Sequence, residues 1–246
     1  MKVAPLHIGI VGCSAEGAAL CYRTLCAEGP ALLGAHAHPQ VSMHTHSLAD
    51  YVVALERGDM PAVAALMRDS ARRLAAAGAE VLICPDNTIH QAWPLVAPHS
   101  PLPWLHIAQV VAAEAQRRGF RRLGLTGTAW LVASEVYPEQ LAAHGIECLR
   151  PAPAQCEAMG RLIMDELVAG LFKPSGVAFF QQLIEDFKAR GCDAVVLGCT
   201  EIPLIISDAN AALPTLDSTR LLARAALQRA VAGPNADNGK PLSTLP

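Results

Sequence analysis

Two stretches of this chain resemble two later ones in pattern, in the same order. His7-Ile8-Gly9-Ile10-Val11-Gly12-Cys13 lies without gaps against Arg122-Leu123-Gly124-Leu125-Thr126-Gly127-Thr128, an offset of 115 residues that also brings Tyr22 onto Tyr137. Gly78-Ala79-Glu80-Val81-Leu82-Ile83-Cys84-Pro85-Asp86 lies against Gly191-Cys192-Asp193-Ala194-Val195-Val196-Leu197-Gly198-Cys199 at an offset of 113. One glycine–acid–strand match is a common phrase of α/β chains. Two in the same order at nearly equal offsets point to an internal duplication. A chain of 246 residues then reads as two similar lobes, each within the roughly 100–150 residues of a small domain.

The apolar pattern gives both lobes one architecture. Buried, glycine-bounded runs read as parallel strands at Leu6 to Gly12, Ala79 to Cys84, Arg122 to Thr126, Ile146 to Leu149 and Ala194 to Leu197. A further run, Leu32 to Met43, is interrupted by histidines. Helical spacing marks Ala15 to Cys26, Leu105 to Arg118, Ser134 to His144, Ala154 to Ala169, Val177 to Arg190 and Leu216 to Ala232. Pro61 to Ala77 reads as a helix capped by Asp59, opened by Pro61 and stopped by Gly78. Strands alternating with helices imply an α/β fold of two parallel sheets, each flanked by helices. The expected boundaries are 1–112 plus 216–232 for the first lobe and 113–215 for the second, with 233–246 a loose tail.

Composition narrows the function classes. The formal charge is −3, aromatics make up 4% and charged residues 17%, against the basic face and stacking rings of a nucleic-acid binder. No apolar run approaches the roughly 20 residues of a membrane helix, and a strand pattern follows Met1-Lys2-Val3-Ala4-Pro5 directly. Half the chain is hydrophobic, so its eight cysteines are not needed as a disulfide framework. The expectation is a reduced, cytoplasmic protein acting on a small molecule, with no nucleic acid or membrane as partner.

In open parallel sheets, ligands bind beyond the carboxyl ends of the strands. The repeat makes Asp86 and Cys199 equivalent strand-end residues, which would approach one small ligand from opposite sides of a cleft between the lobes. Removal of a proton on one face and its return on the other require that geometry.

Several motifs resemble a known family. Leu197-Gly198-Cys199-Thr200-Glu201-Ile202-Pro203, preceded by Gly191-Cys192-Asp193-Ala194-Val195-Val196, is similar to the second catalytic motif of the aspartate/glutamate (hydantoin) racemase superfamily. Asn87-Thr88-Ile89-His90 resembles its first, Ile8-Gly9-Ile10-Val11-Gly12 its opening strand, and Asp165-Glu166-Leu167 with Gly170 a further stretch. The likeness runs from about Ile8 to the helix after Asp217-Ser218-Thr219. Glu201, where glutamate racemases carry His, points to the aspartate-racemase-like branch.

The resemblance implies a cofactor-independent racemase of a small, acidic amino acid, and a homodimer. It also implies two residues flanking the α-carbon, in most members both cysteines, the first immediately before Asn-Thr. Here Asp86 holds that position and Cys84 lies two residues earlier. The ungapped repeat pairs Cys199 with Asp86 and leaves Cys84 opposite Leu197, so Cys84 reads as core. A carboxylate, with a reference pKa near 3.9 against about 8.5 for a thiol, is the weaker base unless burial raises it. Strand-end amides and a helix N-terminus are expected to favour a Cys199 thiolate. Asn87, Thr88, Thr128 and Thr200 are expected to hold the substrate carboxylate, with Glu201, Ser14 and His46 as further contacts. With one thiol in place of two, the alternatives are a single-cysteine isomerase or decarboxylase, and a non-catalytic binder on the same scaffold.

Other residues have plainer readings. His36-x-His38 and His44-x-His46 have metal-like spacing, yet Asp50 is the nearest candidate third ligand, so no metal is expected. His90 fits a core or helix-start position, Tyr22 and Tyr137 fit packing, and Lys173 and Arg57 fit solvated surface. The Gly12-Cys13-Ser14-Ala15-Glu16-Gly17 turn lacks the glycine spacing of a dinucleotide site. Replacing Cys84 by Ala is expected to lower the melting temperature while sparing turnover. Turnover loss as deep as that of Cys199→Ala would shift the motif register by two residues.

Overall fold

A computed structural model describes residues 4–233. The expected loose tail lies, after Gly233, outside the described residues. In chain order the first half contains β1 (Ile8–Gly12), α1 (Ala15–Glu28), α2 (Pro30–Leu33), β2 (Val41–Thr45), α3 (Leu48–Glu56), α4 (Met60–Ala76), β3 (Val81–Ile83), α5 (Trp93–Val96) and β4 (Trp104–Leu105). The second contains α6 (Ile107–Arg117), β5 (Arg122–Thr126), α7 (Ala129–Ala133), α8 (Val136–Ala142), β6 (Glu147–Leu149), α9 (Pro153–Leu162), α10 (Pro174–Ala189), β7 (Ala194–Leu197), β8 (Thr215–Asp217) and α11 (Ser218–Ala232). A 3₁₀ turn, Thr88–Ala92, follows β3. No helix among the described residues is long and apolar enough to cross a membrane.

The chain divides into two compact units. The first takes residues up to Pro85, Ala92–His106 and the chain from Leu222 onward; the second takes Asp86–Gln91 and Ile107–Leu221. Asp86 to Gln91 therefore belong with the second unit although they follow a strand of the first.

Each unit is built on one four-stranded, all-parallel sheet. The first has the order β2-β1-β3-β4 and the second β6-β5-β7-β8. The order matches strand for strand, as the repeat requires. In the first unit Ile10 sits opposite both Met43 and Ile83; in the second Leu125 sits opposite Val196. β1, β3 and β7 are buried along their whole length, because helices cover both faces of a parallel sheet and leave no solvent side.

Two repeated residue types have physical explanations. The acid after each glycine closes the entry to a central strand: Glu80 accepts from the His7 N–H at 2.9 Å. Asp193 accepts from the Arg121 and Arg122 N–H groups at 2.8 and 3.2 Å. The glycines in mid-strand make room for side chains. A Cβ at Gly9 would lie 2.6 Å from a Leu82 methyl, and one at Gly124 2.5 Å from the Phe187 ring.

The helix expected from Pro61 runs Met60–Ala76; Asp59 caps it through the Ala62 N–H at 3.0 Å, and Gly78 follows at φ 91°. Elsewhere the elements differ from expectation. Leu32 to Met43 is not one run: Pro30 opens the short α2, Gly34 ends it, and β2 begins at Val41. The helix placed at Ser134 to His144 is α8; the short α7 before it was not anticipated, and Ser134 divides the two, its Oγ donating to the Leu131 carbonyl and accepting from the Val136 N–H. The helix placed at Leu216 starts at Ser218, because Thr215–Asp217 is strand β8. α3 and β4 were not anticipated.

Gly124→Ala is expected to lower stability by about 1–3 kcal/mol through overpacking against Phe187. Chemical denaturation with no shift in midpoint would refute this account of the repeated glycine.

Candidate active site

The second unit gathers polar residues that lie just beyond strand ends. Asp86, Asn87 and Thr88 follow β3, Thr128 follows β5, and Cys199, Thr200 and Glu201 follow β7. Asn87, Thr88, Thr128, Cys199, Thr200 and Glu201 are buried and Asp86 is half-buried.

Cys199 is the centre of charge in this group. Its thiol donates to Glu201 Oε2 at 2.9 Å, and the Thr200 hydroxyl donates to the same oxygen at 2.7 Å. Burial pushes the thiol well above its ordinary range. The Glu201 carboxylate beside it adds to the rise, and Asp86 contributes a smaller like-charge push. The expected thiolate is thus corrected. A desolvated sulfur next to a carboxylate keeps its proton.

Threonine hydroxyls join two of the strand ends. Thr88 Oγ1 and Thr128 Oγ1 are 2.9 Å apart, and Thr128 Oγ1 also caps α7 by accepting from the Leu131 N–H at 3.2 Å. Asn87 is held at both ends of its amide. Tyr137 Oη donates to Oδ1 at 2.6 Å, and Nδ2 donates to Ser218 Oγ at 3.0 Å. Ser218 Oγ in turn donates to the Leu197 carbonyl at 2.8 Å. Tyr137, read from sequence as packing, is fully buried but bonded through its hydroxyl. Only the requirement that a buried amide find partners hints at this, and it does not say which partners.

His90 fixes the backbone beneath Asp86. Its Nδ1 lies 2.7 Å from the Asp86 carbonyl, which can only accept, so Nδ1 carries the proton. Its Nε2 accepts from the Ile107 N–H at 3.5 Å, at the start of α6. The Nε2 bond requires the neutral ring, and burial lowers the pKa to about 4 against the opposing pull of the Asp86 carbonyl.

Ser14 and His46 belong to the first unit. Ser14 caps α1, accepting from the Gly17 N–H at 3.2 Å. His46 and His44 stand edge to face, ring centroids 4.9 Å apart, with His46 Nε2 at 3.1 Å from Asp69. Asp69, not Asp50, completes that cluster. Arg73 and Arg72 bond both Asp69 oxygens and hold the carboxyl at about 2, so its charge is already matched. Lys173 pairs with Glu166 at 3.1 Å, both partly exposed. No disulfide links any of the eight cysteines; Cys84 is fully buried, and burial raises Cys148 to about 12 and Cys192 to about 11.

A duplicated pair of parallel sheets, with a buried thiol, carboxylates and hydroxyls gathered beyond strand ends, defines an α/β protein of two similar units. The chain matches the Asp/Glu/Hydantoin racemase family over residues 10–226 and belongs to that family. It is 29% identical to a Yersinia pestis protein assigned as an Asp/Glu racemase, whose crystal structure superposes with a TM-score of 0.84 over 92% of this chain and 99% of that one. An aspartate racemase homologue from Pyrococcus horikoshii OT3 is 25% identical, with a TM-score of 0.77 over 94% and 99% of the two chains. The broad specificity amino-acid racemase RacX of Bacillus subtilis is 23% identical over 160 residues, 63% of this chain and 67% of that one.

Because His90 is depressed from about 6.5 in an unfolded chain to about 4 when folded, the unfolded state takes up the proton first as pH falls. The stability tied to the neutral ring is complete above pH 6.5 and drains away toward pH 4, on the order of 3 kcal/mol in all. Thermal melts between pH 7.5 and 4.5 should therefore fall more steeply for the unchanged protein than for His90→Gln. Parallel slopes would remove His90 as the cause.

Proposed function

We propose that this protein racemises a small, acidic amino acid without a cofactor, using Asp86 and Cys199 as the two proton-transfer groups. The observation that carries this reading is the buried Cys199 thiol just beyond β7, which donates to Glu201 Oε2 at 2.9 Å, with its pKa pushed upward by burial, by Glu201 and, less, by Asp86. A two-base racemase needs one group that accepts and one that donates in the same resting state. Asp86 as carboxylate removes the α-proton from one face, and the Cys199 Sγ–H bond breaks as its proton is delivered to the other. Asp86 is left protonated and Cys199 is left a thiolate.

The reverse reaction starts from those two forms. A thiolate made beside a carboxylate is costly, and for that reason strongly basic. That suits it to an α-proton far less acidic than any side chain. Hydroxyls of Thr88, Thr128 and Thr200 and nearby backbone N–H groups would stabilise the carbanion and hold the carboxylate. The same protonated thiol would serve a one-sided protonation, as in a decarboxylase, and this is the competing reading.

Incubation of single enantiomers of acidic amino acids in D₂O separates the two. Two-base racemisation incorporates deuterium with loss of optical rotation, and Cys199→Ala and Asp86→Asn each lower the rate by about 10²–10⁴-fold. Exchange without inversion, or CO₂ release from a malonate-type acid, would establish the one-sided chemistry instead. If no candidate acid exchanges, the enzyme reading is lost.

A further inference from the structure

We propose that Tyr137 and Ser218 are positioning residues that set the spacing between the segment carrying Asp86 and the strand end carrying Cys199. This rests on the reading of those two as the proton-transfer pair.

The connection is a directed chain of three hydrogen bonds. Tyr137 Oη donates to Asn87 Oδ1 at 2.6 Å, Asn87 Nδ2 to Ser218 Oγ at 3.0 Å, and Ser218 Oγ to the Leu197 carbonyl at 2.8 Å. Asn87 directly follows Asp86, and Leu197 precedes Cys199 by two residues. Tyr137, Asn87 and Ser218 are 2% exposed or less, so water does not compete for these bonds. Burial pushes the Tyr137 phenol upward, which keeps its hydroxyl a donor. Donors aligned in one direction polarise one another and stiffen the chain.

Asn87 adjoins the candidate base without being free to follow a ligand. Its Oδ1 and one amide N–H are already engaged inward, so its part is to hold Asp86 in place. His90 clamps the Asp86 carbonyl separately, from the 3₁₀ turn. The Asp86 segment is thus tied toward β7 by the relay and toward α6 by the histidine. Two groups acting on opposite faces of one carbon tolerate little error in separation, since a misplacement of about 1 Å can cost 10²-fold in rate.

The test uses Tyr137→Phe, Ser218→Ala and the double variant, assayed for racemisation and deuterium exchange well below each melting temperature. Each single variant is expected to lower kcat by roughly 10–100-fold with KM nearly unchanged. Each should also raise the ratio of exchange without inversion to racemisation, because deprotonation is no longer matched by donation across the α-carbon. The double variant should be no worse than the poorer single one, since both act through Asn87. Should the variants differ from the unchanged protein only in melting temperature, the bridge is structural and the proposal is overturned. A full-length protein that exchanges no α-proton, and is indifferent to Cys199→Ala, instead removes the racemase reading before any bridge variant is made. Ser218→Ala, which removes one oxygen, keeps the test decisive if Tyr137→Phe proves too unstable to assay.

Discussion

A parallel strand covered by helices on both faces has little place along its length for a polar side chain; Thr126 in β5 is accommodated because its hydroxyl donates to the Val196 carbonyl of β7. Its N-terminal end is closed by an acid from the neighbouring strand's entry, Glu80 in one unit and Asp193 in the other. Its carboxyl end is where the chain leaves the sheet, and where hydroxyls, amides and ionisable groups can meet both backbone N–H groups and a ligand. Everything chemical in the second unit obeys this constraint. Asn87, Thr88, Thr128, Cys199, Thr200 and Glu201 all lie in the few residues after a strand, and none lies within one. Cys84, one residue beyond β3, is fully buried.

The duplication supplies a frame and then the two copies diverge in chemistry. Equivalent positions carry Asp86 and Cys199, a group that ordinarily rests ionised and one that ordinarily rests protonated. Glu201 strengthens that difference by raising the thiol further. A pair of identical groups would have to divide one proton between them. Asp86 and Cys199 differ in this respect by residue type alone.

Much of this was legible before any coordinates. The central strands β1, β3, β5 and β7 stand out because buried parallel strands are continuous apolar runs, and Asp59 with Gly78 marks α4 through capping chemistry. The two unanticipated strands, β4 and β8, span two and three residues, too few for a periodic signal. α7, five residues long, is likewise too short for helical spacing to reveal, and it ends where Ser134 bonds the backbone on both sides. Within the site, the strand-end residues followed from the repeat and the motifs, but the protonation state of Cys199 did not. That state depends on where the Glu201 side chain turns, and spacing of two residues does not specify it. Tyr137 packs in the core as expected, but its hydroxyl bond was not legible, and its counterpart Tyr22, also expected to pack, is 44% exposed, so equivalence in the repeat carried no information about either.

The brevity of β4, β6 and β8 bears on how the protein survives its own synthesis. A sheet edge is a row of unpaired donors and acceptors, open to a strand from another chain. Edges of two or three residues offer a passing strand too little to grip. The one long edge, β2, carries His44 along its five residues, with His46 just beyond and the Asp69–Arg73 ion pair beside them on α4. Polar, chargeable side chains along such an edge discourage further pairing. Two all-parallel sheets pair their strands over long sequence separations and assemble slowly, so short or polar edges lessen the chance of pairing with another chain meanwhile.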